Sequence, residues 1–101
     1  MNLIRLEAMA DAAACLKTLA HPVRLRMVEM LLLDEFTVGQ LAHACGIPSH
    51  MTSEHLGKMK DRGLLRCRRA GRNIYYAVAN PGLKGIMRCI DTNFGKSKEV
   101  V

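Results

Sequence analysis

Apolar positions recur at helical spacing in five stretches of the chain, and each stretch predicts an amphipathic helix. The first helix is expected over residues 3–20. The second begins at Pro22, a residue that suits the first turn of a helix, and ends near Asp34. Two shorter helices are predicted within residues 37–62, and the last helix covers residues 81–95.

The two central helices are separated by a connection that is too short for anything but a tight turn. Thr37 is expected to start the first of them with a capping box, because Gln40 lies three positions on and can bond back to the Thr37 amide. Gly46 ends this helix, and the next begins at about Ser49. Two helices joined by a few residues that include glycine form a helix-turn-helix, predicted here for residues 37–62.

The pattern changes after Gly63, where "LLRCRR" and "NIYYAVA" are typical of two strands. Gly71 lies in their connection, where a hairpin needs positive φ. Residues 64–79 are therefore predicted to form a hairpin, or wing. Three arginines are placed at its tip: Arg68, Arg69 and Arg72. The predicted fold is mainly α with this small wing, a single winged helix-turn-helix domain over residues 1–101.

The apolar stripe of the last helix is larger than so small a core can absorb. Asn80 is expected to cap this helix and Pro81 to begin it. The stripe can be buried only against the first helix or a partner subunit. We therefore predict a homodimer through helices 3–20 and 81–95. The predicted interface residues are Leu6, Met9, Leu83, Ile86 and Ile90.

Composition adds a preferred class of partner. The 101 residues carry 15 Lys and Arg against 9 Asp and Glu, a formal charge of +6, which favours a polyanion such as nucleic acid. No stretch approaches the roughly 18 apolar residues that a membrane helix requires, so a cytoplasmic protein is expected. Four cysteines occur without any C-x-x-C pair, which predicts thiols rather than a disulfide scaffold or a zinc finger.

The second central helix has the composition of a DNA-reading helix. Short polar side chains on its first two turns can reach base edges while the backbone stays close to the major groove. Ser49, His50, Thr52 and Ser53 are the predicted readers. Glu54 could accept a hydrogen bond from a cytosine amino group, and Lys58 extends the basic surface. Clustered arginines in the wing repel one another unless a phosphate or a narrow minor groove lies nearby.

Two longer motifs resemble those of a known family. "LAHPVRLRMVEML" is similar to the second-helix signature of the ArsR/SmtB bacterial repressors, and "GQLAHACGIPSHMTSEHLGKMKDRGLLRCRRAGRNIYY" resembles their recognition helix and wing. The resemblance covers residues 12–95. It implies a dimeric winged-helix repressor that binds double-stranded operator DNA. Pro48 departs from the serine common in the family, so Ser49 is expected to cap the recognition helix instead.

The inducer sites usual in that family do not match this chain. The third-helix stretch "TVGQL" has no thiol, and the fifth helix has Asp91 but no histidine, so no metal site is assigned. Cys15 and Cys89 lie on the two predicted dimerisation helices. They are the candidate sensing residues, for As(III), another thiophilic ion or thiol oxidation, whereas Cys45 and Cys67 are interpreted as packing residues.

Three functions remain open from the sequence. The first is a repressor released from its operator when Cys15, Cys89 or both react. The second is the same DNA-binding module without an inducer. The third is a winged helix that binds protein or RNA. An enzyme is not expected, because no catalytic triad, carboxylate pair or glycine-rich phosphate loop occurs at workable spacing.

Overall fold

The structure, a computed structural model, describes residues 1–95 and confirms the predicted class, a mainly α winged helix-turn-helix. The elements are α1 (Leu6–Leu19), α2 (Pro22–Leu31), β1 (Phe36–Thr37), α3 (Val38–Cys45), α4 (Ser49–Asp61), β2 (Leu65–Ala70), β3 (Asn73–Val78) and α5 (Leu83–Phe94). Residues 96–101 of the predicted domain lie outside the described residues. None of the helices described within residues 1–95 is long and apolar enough to cross a membrane.

One hydrophobic core joins the helices to the base of the wing. Its buried side chains from α2, α3, α4 and α5 include Met27, Val28, Leu31, Leu41, Leu56, Met59 and Leu83. Leu64 and Leu65 extend it into the start of the wing. Burial of apolar area at about 25 cal/mol per Å² is the main force that fixes the orientation of α4.

The sheet has three antiparallel strands in the order β1–β3–β2. The predicted hairpin is present, with Leu65 opposite Val78 at its base and Ala70 opposite Asn73 at its tip. The third strand was not predicted. It consists of Phe36 and Thr37, which pair with Tyr76 and Tyr75 of β3.

The turn between α3 and α4 forms largely as the sequence predicts. The Thr37 hydroxyl accepts a hydrogen bond from the Gln40 amide at 3.1 Å, and the Gln40 side chain accepts one from the Thr37 amide at 2.9 Å. Gly46 ends α3 at φ 68°, a conformation costly for other residues. The cap expected from Ser49 is wrong, because Ser49 already lies in the first turn and Pro48 precedes the helix without a side-chain cap.

The two terminal helices are shorter than predicted. α1 begins at Leu6, and α5 begins at Leu83 rather than Pro81. The Asn80 side chain accepts a hydrogen bond from the Gly82 amide at 2.8 Å, and so stabilises the turn before α5 instead of capping the helix.

The residues predicted for the dimer interface differ in exposure. Leu83 is 1% exposed and packs in the core of the protomer, so its assignment to the interface is wrong. Its position at the start of α5 directs it towards the helical core. Ile86 and Ile90 are half-buried, whereas Leu6 and Met9 are 81% and 47% exposed.

Candidate nucleic-acid interface

α4 has one polar exposed face and one buried face. Five predicted contact residues are exposed on it: Ser49, His50, Ser53, Glu54 and Lys58. The buried face carries Leu56 and Met59, which anchor the helix in the core. The spacing of three to four residues between buried positions explains the division, because it repeats once per helical turn.

Thr52 was predicted to read bases, and the structure contradicts this. Its side chain is fully buried, and its hydroxyl donates to the Pro48 carbonyl at 3.1 Å. It lies one turn before Leu56 on the same face, so it faces the protein. Met51, which was not predicted, is 41% exposed beside it. Its apolar side chain can contact a thymine methyl group, which polar patterning alone does not indicate.

A polar network lies beneath α4. Arg24 of α2 donates through Nε to Nδ1 of His55 at 3.0 Å, and through Nη1 to the Thr18 carbonyl at 2.8 Å. The ring centroids of His21 and His55 are 4.6 Å apart. Burial lowers the pKa of His55, and the neighbouring His21 and Arg24 lower it further. These contacts and its burial make His55 a hydrogen-bonded structural residue of the protein interior.

All three predicted wing arginines are exposed, but only Arg69 and Arg72 lie at or next to the turn. Arg72 lies in the turn beside Gly71, whose φ is 63°, and Arg69 lies near the end of β2. Arg68 is not at the tip as predicted. It lies opposite Tyr75 within the sheet, its guanidinium bonds Glu35 at 2.8 Å, and its Cζ lies 4.7 Å from the centre of the Tyr75 ring.

The thiols occupy different environments. Cys15 is half-buried and lines an apolar groove of about 280 Å³ between α1 and α5, together with Leu16, Leu83 and Ile86. Cys89 is exposed on α5 and is not among the residues that line this groove. Burial raises the pKa of the Cys45 thiol, which Arg26 only partly opposes, so its reactive thiolate form is rare at neutral pH.

The possibility of a metal centre can be tested against the side chains of residues 1–95. No three His, Cys, Asp or Glu side chains lie close enough together there to hold a metal ion. A tetrahedral zinc site needs about four such ligands. The four histidines and four cysteines of one protomer are therefore not arranged as a zinc site within the described chain.

Comparison with known proteins agrees with this architecture. A family model described as a helix-turn-helix domain matches residues 19–68. The HTH-type transcriptional regulator YgaV of Escherichia coli K12 is 37% identical over 88 residues, which cover 85% of this chain and 89% of YgaV. The transcriptional repressor PagR of Bacillus anthracis is 36% identical over 85 residues, which cover 83% of this chain and 85% of PagR.

A solved structure of a related protein has the same winged helix-turn-helix fold. The chain superimposes with a TM-score of 0.78 and 26% identity on Mb0332 of Mycobacterium bovis, covering 87% of this chain and 82% of that one. Mb0332 is described as a homodimeric winged helix-turn-helix DNA-binding domain and a possible ArsR-family transcriptional regulator. The chain belongs to the ArsR/SmtB family. In this ArsR/SmtB regulator α3 and α4 are the helix-turn-helix, α4 is the recognition helix and β2–β3 is the wing.

Proposed function

We propose that this chain is a sequence-specific transcriptional repressor that binds double-stranded operator DNA as a cytoplasmic homodimer. The observation that carries the proposal is the division of α4, which has a buried apolar face and an exposed face of short polar side chains. The exposed Arg69 and Arg72 of the wing supply the positive charge that phosphates attract. PagR, a relative, is named as a repressor, and Mb0332 as a homodimer.

In the proposed complex the exposed residues make two kinds of contact with DNA. His50 and Ser53, with Ser49 and Glu54, face base edges in the major groove, while Lys58, Arg69 and Arg72 contact the backbone. The dimer places two recognition helices in successive major grooves. Leu6 and Met9 of α1, with Ile86 and Ile90 of α5, form the apolar contact between subunits.

A mobility-shift assay tests DNA binding directly. The probe is the promoter upstream of the chain's own gene, with a shuffled duplex as competitor. The wild type should bind the promoter at least 1000-fold more tightly than the shuffled duplex, roughly the low end of the usual range for specific binding. Equal affinity for both duplexes, or preference for RNA, would favour a general nucleic-acid or interaction module instead.

We further propose that Cys15, Cys89 or both sense a thiophilic ion such as As(III), or an oxidant. The position of Cys15 supports the sensing proposal, because a group added to its sulfur would lie in the apolar groove between α1 and α5. A change of packing there would alter the spacing of the two recognition helices. Soft thiolates are the protein ligands that prefer such ions, and exposed thiols oxidise readily.

Serine variants test the sensing proposal. Cys15→Ser or Cys89→Ser should bind the promoter under reducing conditions but keep it when arsenite or peroxide is added, whereas the wild type should release it. Cys45→Ser is the matched control and should respond like the wild type, because its thiol is held protonated. If the wild type ignores every thiol reagent, the chain is a DNA-binding regulator without a thiol inducer.

A further inference from the structure

The recognition helix is tied to α1 and α2 through one arginine and two histidines. Arg24 projects from α2 and bonds both His55 of α4 and the carbonyl of Thr18 near the end of α1. His21, which precedes α2, accepts a hydrogen bond from the Val23 amide at 3.1 Å, and its ring lies tilted against the ring of His55. Three helices therefore meet at a single guanidinium.

The hydrogen bond from Arg24 defines the protonation state of His55. An arginine side chain can only donate, so Nδ1 of His55 must present a lone pair and the ring proton must sit on Nε2. Adding a second proton would remove this acceptor. It would also place a cationic ring 3.0 Å from a guanidinium that does not give up its charge.

The surroundings favour the neutral ring. His55 is only 9% exposed, and burial makes the largest contribution to lowering its pKa. Positive charge on His21 and Arg24, and then Lys58 of α4, acts in the same direction, while Glu54 of α4 raises the pKa. The elements α3 and β2, which also pack against α4, add apolar side chains such as Leu41 and Leu65 to the core.

The network of Arg24, His55 and His21 lies where it can affect DNA binding. His55 follows the exposed Ser53 by two residues and lies between two predicted DNA contacts, Glu54 and Lys58. Its partner Arg24 is fixed to α1, the helix whose exposed apolar side we propose as the dimer contact. The network thus connects the reading surface to the part of the protein that sets the distance between two recognition helices.

We propose that Arg24 and His55 are positioning residues that hold the recognition helix for operator binding only while the His55 ring is neutral, so that acidification weakens specific binding. This inference rests on the proposed repressor function. Because DNA binding selects the neutral ring, operator DNA must in turn lower the pKa of His55. Phosphates act in the opposite direction on an exposed histidine, since negative charge favours its protonated form.

Histidine NMR titration of the full chain tests this prediction without any substitution. The ring protons of His55 and of the exposed His43 are followed from about pH 7.5 to 5.0, a range that brackets the ordinary pKa of histidine, in the free protein and in the complex with its promoter duplex. The pKa of His55 should fall on binding, and the exposed His43 serves as the reference for effects common to all histidines in the complex. A pKa of His55 that is unchanged or raised in the complex overturns the proposal.

A variant provides an independent readout. His55→Asn keeps an acceptor for Arg24 but cannot be protonated, and His43→Asn is the matched control on an exposed site. At pH values between the bound and the free pKa of His55, lowering the pH should weaken the affinity of the wild type for the promoter relative to His55→Asn. The loss should be at most about tenfold per pH unit, because only one proton is involved. His43→Asn should follow the wild type.

The outcomes separate the two proposals. Binding of the promoter at neutral pH with identical pH profiles for wild type and His55→Asn would refute the inference and leave the repressor function intact. Failure of the wild type to bind any promoter duplex at neutral pH would refute the repressor function itself. If His55→Asn does not fold, as circular dichroism would reveal, the NMR titration of the wild type still decides.

Discussion

At the scale of single residues, two neighbours on α4 lie in opposite environments. Thr52 is buried and bonds Pro48, while Ser53 is exposed one residue later. Thr52→Val keeps the shape of the side chain but removes the hydroxyl, so it should reduce the free energy of unfolding by about 1 kcal/mol. Chemical denaturation measures this change, and preference among operator variants should not alter.

Ser53→Ala should give the reverse result. The substitution removes an exposed hydroxyl, so stability should stay within about 0.5 kcal/mol of the wild type. Preference among operator variants should change by roughly 1–3 kcal/mol if Ser53 makes a good base contact. Competition binding with single-base operator variants measures it, and unchanged preference would remove Ser53 from the set of readers.

The wing arginines should differ in their effect on affinity. Arg69→Ala or Arg72→Ala should weaken binding to all duplexes alike and reduce the slope of log affinity against log salt by about 0.9 for each phosphate that is no longer neutralised. Arg68→Ala should have a smaller effect, because its guanidinium is already bonded to Glu35. Arg88→Ala, an exposed site on α5, controls for net charge. If Arg69→Ala or Arg72→Ala changed the preference among bases, the substituted arginine would be a minor-groove reader instead.

The burial of single residues was predictable from the sequence only where the helical spacing of apolar positions indicated it. The burial of Leu56 and Met59 follows from helical periodicity, but Thr52 shares their face and was misjudged because its polar type suggested exposure. Arg68 was placed at the tip from the local hairpin pattern alone, whereas its partner Glu35 lies 33 positions away along the chain. No local pattern indicates such a pair, nor the bond between Arg24 and His55.

At the scale of elements, the start of α3 depends on a reciprocal cap. Thr37→Ala removes the acceptor for the Gln40 amide and should cost about 1 kcal/mol of unfolding free energy. Thr37→Ser keeps the hydroxyl and is the matched control. Thermal unfolding followed by circular dichroism compares the two, and equal stability would mean that water replaces the cap at no cost.

Elements with strong local signals were predicted and those with weak signals were not. The capping box, Gly46 and the hairpin turn at Gly71 have specific sequence patterns, and the structure contains all three. β1 was missed because a strand of two residues has no periodicity of its own. α5 begins two residues later than expected, because Asn80 bonds the amide of Gly82 within a turn.

At the scale of the whole molecule, the exposed side of α1 is the surface best suited to test dimerisation. Leu6→Asp with Met9→Asp should produce monomers in sedimentation experiments, since the charges would be buried at the proposed contact. Promoter affinity should fall as the dimer dissociates, because two half-sites are engaged together. Both residues are exposed in the protomer, so folding should be retained.

Leu33→Asp is the matched control, because Leu33 is 83% exposed and follows α2. It should leave the dimer intact. A double α1 variant that still sediments as a dimer would exclude this side of α1 from the contact. The sequence predicted an apolar surplus on the last helix and a contact through the first and last helices, but it could not separate Leu83, which is buried in the protomer core, from Leu6, which is exposed.

The short segment before α3 has a consequence for exchanging parts between related regulators. Glu35 bonds Arg68 of β2, and Phe36 and Thr37 pair with β3, so three consecutive residues contact both strands of the wing. Thr37 also caps α3. A graft that transfers residues 64–79 alone would leave these partners behind in the donor, and the wing would lack them in the host. A transplantable unit must begin at Glu35, and its natural boundary is therefore a sheet edge rather than a loop.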